Sequence, residues 1–390
     1  MTGHIRRRGA KSWELKFDAG ADPLTGKRKT QYHSFKGTKR EAEIALAKLI
    51  VSAAAGEYVD PSKLTIGAFL DNWENDWARG HLSPKTFERY VDLLKTHVRP
   101  RLGAARLQKI KPSDFVALYT ELVQSGRKIQ KDPKKMSGLS PQTVAYIHRI
   151  LHRAFGHALT WGLISFNPLS GIEPPRAQRT EIAILSEEHV KDVLRKLRGR
   201  PMYLIAALGL ATGMRRGELL ALRWKDIDLD RAKLQINRSL EQTKAGLRFK
   251  SPKTKHGRRS VSVPSSIVAE LKAHRRSQTE LRLALGLGKD PEDGLVFRRG
   301  TSEPLNPNSV STEWRRLVAT LGLPRVSLHA WRHTHASQLI ASGMDILRIS
   351  RRLGHSSPSI TLDIYGHLFD TNDDHAAAVF EAAFGGTLTE

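Results

Sequence analysis

The stretch 327–368 limits most strongly what this chain can fold into, because it specifies three short helices joined by tight turns. Gly343 and Gly354 are placed to end the first two helices, since glycine accepts the left-handed backbone that commonly follows a helix. Ser357 and Pro358 are typical of the N-cap and the first position of a third helix. A packed helical segment with defined turns is therefore expected here.

The same stretch carries side chains with useful chemistry. His329 and Arg332 are three residues apart, so both project from one face of the first helix. His355 follows the second helix in a turn, and the third helix presents Tyr365. A guanidinium, two imidazoles and a phenol, with few carboxylates beside them, suit an anionic substrate that is attacked by the tyrosine. The pattern indicates a phosphodiester-cleaving centre.

The charge of the whole chain supports an anionic partner. The 390 residues carry a formal net charge of +25, and the basic residues are spread over the whole length. A positive net charge of this size favours a polyanionic binding partner, and nucleic acid is the leading candidate. Hydrophobic residues make up 39% of the chain, which is enough for folded domains, and the length predicts two or three of them.

Residue usage excludes several other classes of function. The chain contains no cysteine, which excludes disulfides, thiolate zinc sites and cysteine nucleophiles. No apolar run reaches membrane-spanning length, and the N-terminus lacks an apolar signal core. We therefore expect an intracellular protein without a membrane partner.

Residues 1–60 predict a small module built from a sheet and one helix. Apolar residues alternate with polar ones from Trp13 to Phe17, and a DPLTG turn separates this strand from the next. Thr38 and Glu41 fit a capping box at the start of the helix. Cations crowd the strand region, so the sheet is either a DNA reader or an ordinary charged surface. The candidate DNA-binding residues are Arg6, Arg7, Arg8, Lys27, Arg28 and Lys29.

The rest of the chain predicts two larger domains. Residues 64–170 contain a succession of helical patterns with basic edges. A Pro-rich, polar linker at 166–181 leads into residues 180–390, which combine helices with a small antiparallel sheet. A short apolar helix is expected near the end, at 375–384. The predicted fold class is mostly α with small antiparallel β-sheets.

Two further motifs supply groups for phosphodiester chemistry. Arg215 follows a glycine break at Gly213, and Glu218 is close enough along the chain to orient its guanidinium. Two arginines can hold both non-bridging oxygens of a phosphodiester in fork geometry, as a lysine cannot. A free tyrosine has a pKa of about 10, so it needs cationic surroundings or a base to attack. Lys253, in a hairpin, is the candidate acid for the leaving 5′ oxygen, and Lys255 is its nearby alternative.

The histidines allow a metal site, which the sequence disfavours. His329 and His333 are four residues apart, as in some metal-binding helices. No glutamate follows His329 in the HExxH manner and no cysteine completes a site, so no metal is predicted. The remaining ring residues are interpreted as structural, buried in a core or facing solvent: His335, His367, Trp224 and Trp331.

Four motifs together resemble those of the tyrosine site-specific recombinases, particularly the integrases of phages and mobile elements. They are ATGMRRGELLALRW at 211–224, SPKTKHGRRSVSVP at 251–264, LHAWRHTHASQLIASG at 328–343 and LGHSSPSITLDIYGH at 353–367. The resemblance implies that Tyr365 is the nucleophile and that Glu218 supports the first catalytic arginine. The other catalytic residues that it implies are Arg215, Lys253, His329, Arg332 and His355.

The resemblance also implies a domain plan and a reaction. Residues 1–60 are similar to an arm-type DNA-binding module, 64–170 to a helical, SAM-like core-binding domain, and 180–390 to a mixed α/β catalytic domain with a tail helix. Family membership would mean strand exchange between double-stranded DNA attachment sites, through a 3′-phosphotyrosyl intermediate and a Holliday junction. Trading one phosphodiester for another conserves bond energy, so neither ATP nor a metal cofactor is expected.

The implied assembly is a homotetramer on DNA in the cytoplasm of a prokaryotic host, with an accessory DNA-bending protein and a directionality factor as further partners. Two other functions stay open at this stage. One is DNA relaxation of the type IB topoisomerase kind, which uses the same nucleophile. The other is a non-catalytic DNA-binding regulator. The arm-like module and the tail favour recombination over relaxation, and the complete set of catalytic motifs disfavours the regulator.

Overall fold

The computed structural model describes residues 3–21, 26–55, 58–126, 138–176, 182–252 and 255–369, together with 378, 381 and 382. The chain divides into two compact units, Met1–Arg179 and Thr180–Glu390, and each is described by itself. Three sequence predictions fall wholly or largely outside the described residues. They are the DPLTG turn, Lys253 and the tail helix at 375–384.

A three-stranded antiparallel sheet and one helix open the first unit. The elements are β1 (Gly3–Gly9), β2 (Ser12–Ala21), β3 (Arg28–Lys36) and α1 (Lys39–Ala54), with β2 in the centre of the sheet. Leu15 and Phe17, the inward side chains of β2, form a small core with the apolar side of α1. Thr38 and Glu41 make the reciprocal capping box that their spacing predicted.

Helices make up the remainder of the first unit. They are α2 (Ile66–Trp73), α3 (Arg79–His81), α4 (Pro84–Leu93), α5 (Arg99–Leu102), α6 (Pro112–Ser125) and α7 (Pro141–Thr160). Single π-helical turns join α2 to α3 and α4 to α5. Proline begins α4, α6 and α7, where its missing N–H costs no hydrogen bond. Phe69, Trp73 and Phe155 are fully buried in the core of this bundle.

The second unit combines helices with short antiparallel sheets. Its helices are α8 (Glu187–Leu197), α9 (Met202–Thr212), α10 (Arg216–Leu219), α11 (Ser265–Ala284), α12 (Pro307–Thr320), α13 (Leu328–Ala341), α14 (Ile346–Leu353) and α15 (Pro358–Tyr365). Its strands are β4 (Ile227–Asp228), β5 (Lys233–Ile236), β6 (Ser239–Thr243), β7 (Gly246–Lys250), β8 (Arg259–Ser262), β9 (Arg298–Arg299) and β10 (Glu303–Pro304). They pair as β4-β5-β8, β6-β7 and β9-β10.

Helix α9 is the centre of the second unit. Nearly all of its side chains are buried, as expected of a helix that is apolar on every side. It packs against α8, α11 and α13, and the indole rings of Trp224 and Trp331 are buried in the same core, as the sequence predicted. Gly213 ends α9 in the left-handed conformation, with φ of 64°, so the chain turns sharply before Arg215.

The three helices expected from stretch 327–368 are present as α13, α14 and α15. Gly343 and Gly354 follow the first two with positive φ, and the Ser357 hydroxyl accepts a hydrogen bond from the N–H of Ser359 at the start of the third. The predicted fold class, mostly α with small antiparallel β-sheets, is confirmed. Among the described residues, no helix combines the length and apolarity that crossing a membrane requires.

Candidate active site

Four of the predicted catalytic residues, together with the supporting Glu218, line one cleft of about 480 Å³ in the second unit. Arg215 reaches it from the N-cap of α10, His329 and Arg332 from the first turns of α13, and His355 from the turn after α14. Residues that lie far apart in the sequence are thus brought together by the packing of α9, α13 and α14. Among the described residues that line the cleft, the cations Arg215, Lys250 and Arg332 outnumber the single carboxylate, that of Glu218.

Glu218 anchors the Arg215 side of the cleft. Its carboxylate accepts a hydrogen bond from Nη1 of Arg215 at 2.9 Å and another from Nη2 of Arg259 at 2.9 Å. Glu218 is 4% exposed, and burial alone would raise its pKa. The hydrogen bond and the charge of Arg259, together with Arg215, outweigh burial and hold the pKa of Glu218 below its ordinary value. The carboxylate therefore stays ionised and fixes both guanidinium groups.

Arg332 is buried and bound by backbone carbonyls. Its Nη1 donates to the carbonyl of Gly213 at 2.8 Å, and its Nη2 donates to the carbonyl of Leu353 at 2.7 Å. Burial, reinforced by the charge of Arg215, lowers the pKa of Arg332 to about 9. Among the described residues no carboxylate forms an ion pair with it. An anion bound in the cleft would supply the missing counter-charge.

The two cleft histidines are held in the uncharged form. Burial and then the charges of Arg332 and Arg215 lower the pKa of His355 to about 3. Burial, Arg332 and Arg215, in that order, also lower the pKa of His329. Nδ1 of His355 lies 2.8 Å from the hydroxyl oxygen of Thr361, which fixes the orientation of its ring. Each ring is therefore a neutral hydrogen-bonding group at pH 7.

Tyr365 lies on α15, the third helix of the stretch, as the sequence predicted, and it is buried. Its side chain is 1% exposed and packs in a small core with Ala336, Ile349 and Leu353. Its hydroxyl oxygen lies 2.8 Å from Nδ1 of His333. Burial raises the pKa of Tyr365 to about 12, although the charge of Arg332 opposes the shift. The hydroxyl is therefore protonated at neutral pH.

The hairpin expected to supply an acid borders the cleft on both sides of Lys253. Ser251 and Pro252, which follow β7, line the cleft, and so does Gly257. Lys253 itself lies outside the described residues, and the side chain of Lys255 does too. The described residues Ser251, Pro252 and Gly257 are thus part of the cleft wall.

The cations of the N-terminal module are exposed, but half of them are paired. Arg6, Arg7 and Arg8 lie on β1, Arg28 and Lys29 on β3, and Lys27 just before β3. The ion pairs are Arg8 with Glu14, Arg28 with Asp18 and Lys29 with Asp60. Less positive charge is therefore available to a phosphate backbone than the sequence alone indicated.

The described part of the chain contains no group of three His, Cys, Asp or Glu side chains that could hold a metal ion. The rings of His329 and His333 are nearly perpendicular, with centroids 4.7 Å apart. His333 uses Nδ1 for Tyr365, and His335 is a buried acceptor for Nε of Arg352 at 2.9 Å. These helix histidines thus have partners other than a metal.

Models of known protein families match both units. The model of the phage integrase family matches residues 184–372, a span that contains every candidate catalytic residue. The model of the SAM-like N-terminal domain of phage integrases matches residues 65–123. The chain belongs to the phage integrase family of tyrosine recombinases. This integrase is therefore an enzyme that cleaves and rejoins DNA in site-specific recombination, as the sequence predicted.

Relatives of the integrase extend over nearly its whole length. A XerC-like tyrosine recombinase of Caldanaerobacter subterraneus subsp. tengcongensis is 28% identical over 365 residues, which cover 89% of this chain and 90% of the relative. The ICEBs1 integrase of Bacillus subtilis is 25% identical over 374 residues, which cover 94% of this chain and 95% of the relative. Both relatives therefore match most of the length of this integrase rather than a single domain.

Solved structures share the fold of the integrase. The Tn1549 transposon integrase in complex with circular intermediate DNA has a TM-score of 0.64 at 20% identity, covering 81% of this chain and 98% of that chain. The lambda integrase dimer bound to a COC′ core site has a TM-score of 0.55 at 19% identity, covering 94% of this chain and 97% of that chain. At these identities the likeness establishes the fold.

Two residues of the site were missed in the sequence. Arg259 was a detectable candidate, because strand alternation puts it on the same face of β8 as the buried Val261. His333 was considered only as a metal ligand. Its helical position, one turn after His329, is apparent in the sequence, but its contact with Tyr365 depends on how α13 and α15 pack. The alternation of side chains along β8 could have identified Arg259. No local sequence pattern identifies the contact between His333 and Tyr365.

Replacing Glu218 with glutamine is expected to lower the free energy of unfolding of the integrase by about 3–5 kcal/mol at pH 7. The substitution leaves the nearly buried Arg259 guanidinium, 6% exposed, without its anionic partner. Urea denaturation followed by tryptophan fluorescence measures the loss. Glu313→Gln is the matched control, because it breaks an exposed pair with Arg316 that solvent screens strongly. Equal losses in the two variants would contradict the anchoring role.

The pH dependence of the same variant has a defined sign. Because the folded pKa of Glu218 lies below its ordinary value of 4.5, its contribution to stability is complete above that pH. The contribution is lost as the pH falls through the lower, folded pKa. The gap between wild type and Glu218→Gln in free energy of unfolding should therefore narrow below pH 4.5, and a constant gap would be inconsistent with an ionised Glu218.

Proposed function

We propose that this integrase exchanges strands between double-stranded DNA attachment sites of a phage or other mobile element, with Tyr365 as nucleophile. The observation that carries the proposal is the convergence of Arg215, Arg332, His329 and His355 on one cleft that has excess positive charge. Tyr365 lies beside this cleft, linked to it through the neighbouring imidazoles of His333 and His329. Such a site fits the backbone of DNA at a single phosphate.

The arginines stabilise the charge that builds up during cleavage. As the tyrosine oxygen bonds to phosphorus, the phosphate becomes pentacoordinate and its non-bridging oxygens gain negative charge. Arg215 and Arg332 are held rigidly, one by Glu218 and the other by two backbone carbonyls, so they need little reorganisation to meet that charge. The neutral rings of His329 and His355 add N–H donors to the same oxygens. Fixed donors of this kind supply the electrostatic stabilisation of the reaction.

Two proton movements accompany the change of bonds. A bond forms between the Tyr365 oxygen and phosphorus while the bond from phosphorus to the 5′ oxygen breaks, which leaves a 3′-phosphotyrosyl linkage. The phenol loses its proton only as it attacks, because its pKa is raised to about 12 by burial, and the neutral imidazoles of the cleft are the proposed acceptors of that proton. The departing 5′ oxygen takes a proton, for which Lys253 is the proposed donor. The free 5′ hydroxyl of another strand then reverses these steps and completes the exchange.

The domain plan and the partners follow the family pattern. We assign arm-type DNA binding to residues 1–60, core-site binding to 64–170 and catalysis to 180–390. A solved structure of lambda integrase is a tetramer bound to a Holliday junction, and that likeness supports a homotetramer here. An accessory DNA-bending protein and a directionality factor complete the proposed assembly, which would act on DNA in the cytoplasm of a prokaryotic host.

The test of this function is covalent capture of DNA. A nicked suicide substrate is incubated with the wild-type protein, the adduct is isolated under denaturing conditions, and the attached peptide and nucleotides are sequenced. The expected result is a 3′-phosphate joined to Tyr365 at one preferred DNA sequence, and Holliday junctions with paired sites. Relaxation of supercoiled DNA without junctions would favour a topoisomerase-like enzyme. A complete lack of adduct on every substrate would favour a DNA-binding regulator.

The acid is identified by a leaving group that needs no proton. Lys253→Ala is expected to slow cleavage of ordinary DNA by about 10²–10³-fold, as for the loss of one positioned donor. On DNA with a bridging 5′-phosphorothiolate, whose thiolate leaves unprotonated, that variant should recover rates close to the wild type. Lys255→Ala is the matched control and should show no selective rescue. If the cleavage rate of Lys255→Ala is rescued instead, Lys255 is the general acid.

A further inference from the structure

His333 directly contacts the tyrosine assigned as nucleophile. Its Nδ1 lies 2.8 Å from the Tyr365 hydroxyl oxygen, and the two ring centroids are 5.6 Å apart. His333 also lies one helical turn after His329 on α13, and the centroids of these two imidazoles are 4.7 Å apart. His329 lines the cleft, so His333 stands between the cleft wall and the phenol.

The direction of the hydrogen bond follows from the charge states. Burial lowers the pKa of His333 to about 4, with smaller contributions from His329 and Arg332, so the ring is uncharged at pH 7. Tyr365 is a protonated phenol at the same pH, and its single proton needs an acceptor in a buried place. With the ring proton on Nε2, Nδ1 of His333 is that acceptor. Among the described residues no other hydrogen-bond partner of the Tyr365 hydroxyl is found.

Apolar packing alone does not orient this hydroxyl. Ala336, Ile349 and Leu353 surround the ring of Tyr365, but contacts between apolar groups have little directional preference. A hydrogen bond to Nδ1 fixes the direction of the O–H bond and leaves the oxygen lone pairs for another partner. Small errors in the position of a reacting atom have large effects on rate, so such a contact matters to an attacking oxygen.

We propose that His333 is a positioning residue, whose Nδ1 accepts the hydrogen of the Tyr365 hydroxyl and holds the phenolic oxygen ready for attack. This inference rests on the proposed role of Tyr365 as nucleophile. It predicts that an acceptor at the position of Nδ1 is what matters, and not the imidazole as a whole. Variants of His333 with and without a hydrogen-bond acceptor at the place of Nδ1 therefore distinguish a positioning role from a packing role.

Three substitutions of His333 provide the test. In His333→Asn the side-chain amide oxygen reaches nearly the place of Nδ1, whereas in His333→Gln the amide extends to the place of Nε2. His333→Leu fills a similar volume without any acceptor. Single-turnover cleavage of the suicide substrate, at saturating protein, is expected to fall about 10–100-fold for Leu and Gln. His333→Asn should stay within about threefold of the wild type, and DNA affinity in a gel shift should change little in all three.

The controls separate failure of this inference from failure of the proposed function. If the wild type forms an adduct and Tyr365→Phe does not, the nucleophile assignment stands, and the His333 series then decides the positioning role. Unchanged or faster cleavage by His333→Leu would overturn that role, and so would an Asn variant as slow as the Gln variant. If the wild type gives no adduct, the proposed function has failed instead.

A stability measurement tests the hydrogen bond independently of catalysis. The drop in melting temperature caused by His333→Gln should be larger in the wild-type background than in Tyr365→Phe, because only the wild type has the hydroxyl to lose. Equal drops in both backgrounds would show that the two side chains are not coupled, and the positioning role would be withdrawn. This comparison needs only folded protein, so it holds even where a variant is too slow to assay.

Discussion

Replacing Tyr365 with phenylalanine is expected to abolish covalent attachment of DNA, lowering adduct formation by at least about 10⁴-fold, the scale seen when other enzymes lose their nucleophile. DNA affinity should remain close to that of the wild type, since the hydroxyl is buried and does not line the cleft. The phenyl ring still fills the core beside Ile349 and Leu353. The fold is therefore expected to lose only the hydrogen bond to His333, about 1 kcal/mol.

The measurement is a denaturing gel of protein incubated with a labelled suicide substrate, read beside a gel shift of the same samples. Tyr203→Phe is the matched control, because Tyr203 lies in the same unit and its hydroxyl donates to Glu270 at 3.3 Å, away from the proposed chemistry. It should form adduct at the wild-type rate. The assignment of Tyr365 as nucleophile would be wrong if Tyr365→Phe still formed the adduct, or if the adduct in the wild type were on a different side chain.

The local structure of the site could be predicted because short-range rules determine it. Glycine in the left-handed conformation after α13 and α14, and the serine and proline that begin α15, act within a few residues. The contact between Arg215 and Glu218 spans three residues, so spacing alone revealed it. Predictions of this kind depend only on residues that are close in the sequence, so they can be made without knowing how the helices pack.

The missed features depend on contacts between distant segments. Arg259 and Glu218 are 41 positions apart, and His333 and Tyr365 are 32 apart, so their pairing requires α13, α15 and β8 to be placed in three dimensions. Burial of Tyr365 has the same origin. The sequence predicted that Tyr365 lies on a short helix, but it did not show that apolar side chains of α13 and α14 pack against its ring. Long-range packing, rather than local propensity, decides the environment of the proposed nucleophile.

Total charge was a reliable guide to the class of partner but not to the contact surface. A net charge of +25 pointed to a polyanion, and family membership agrees. The same count could not show that Glu14, Asp18 and Asp60 neutralise three of the six cations in the N-terminal module. Pairing between cations and carboxylates depends on strand register and on the path of the chain after the module, which composition does not contain.

The second large effect is expected for Arg332→Lys, which keeps the charge and changes the geometry. Cleavage at saturating protein should fall by about 10²–10³-fold. The guanidinium binds the carbonyls of Gly213 and Leu353 with two different nitrogens, at 2.8 and 2.7 Å, and a single ammonium cannot reproduce that planar fork. Lysine also loses its charge more readily when buried, so part of the positive potential of the cleft would disappear.

The comparison with Arg332→Ala separates geometry from charge. If the fork carries most of the effect, the lysine and alanine variants should be similarly slow, and if charge alone suffices, lysine should cleave nearly as fast as arginine. Arg316→Lys controls for a general effect of replacing arginine with lysine, because the side chain of Arg316 is 65% exposed. This variant should cleave at the wild-type rate. Gel shifts confirm that each variant is saturated with DNA. Near wild-type cleavage by Arg332→Lys would contradict the importance of the fork to Gly213 and Leu353, and would mean that one positive charge at this position is enough.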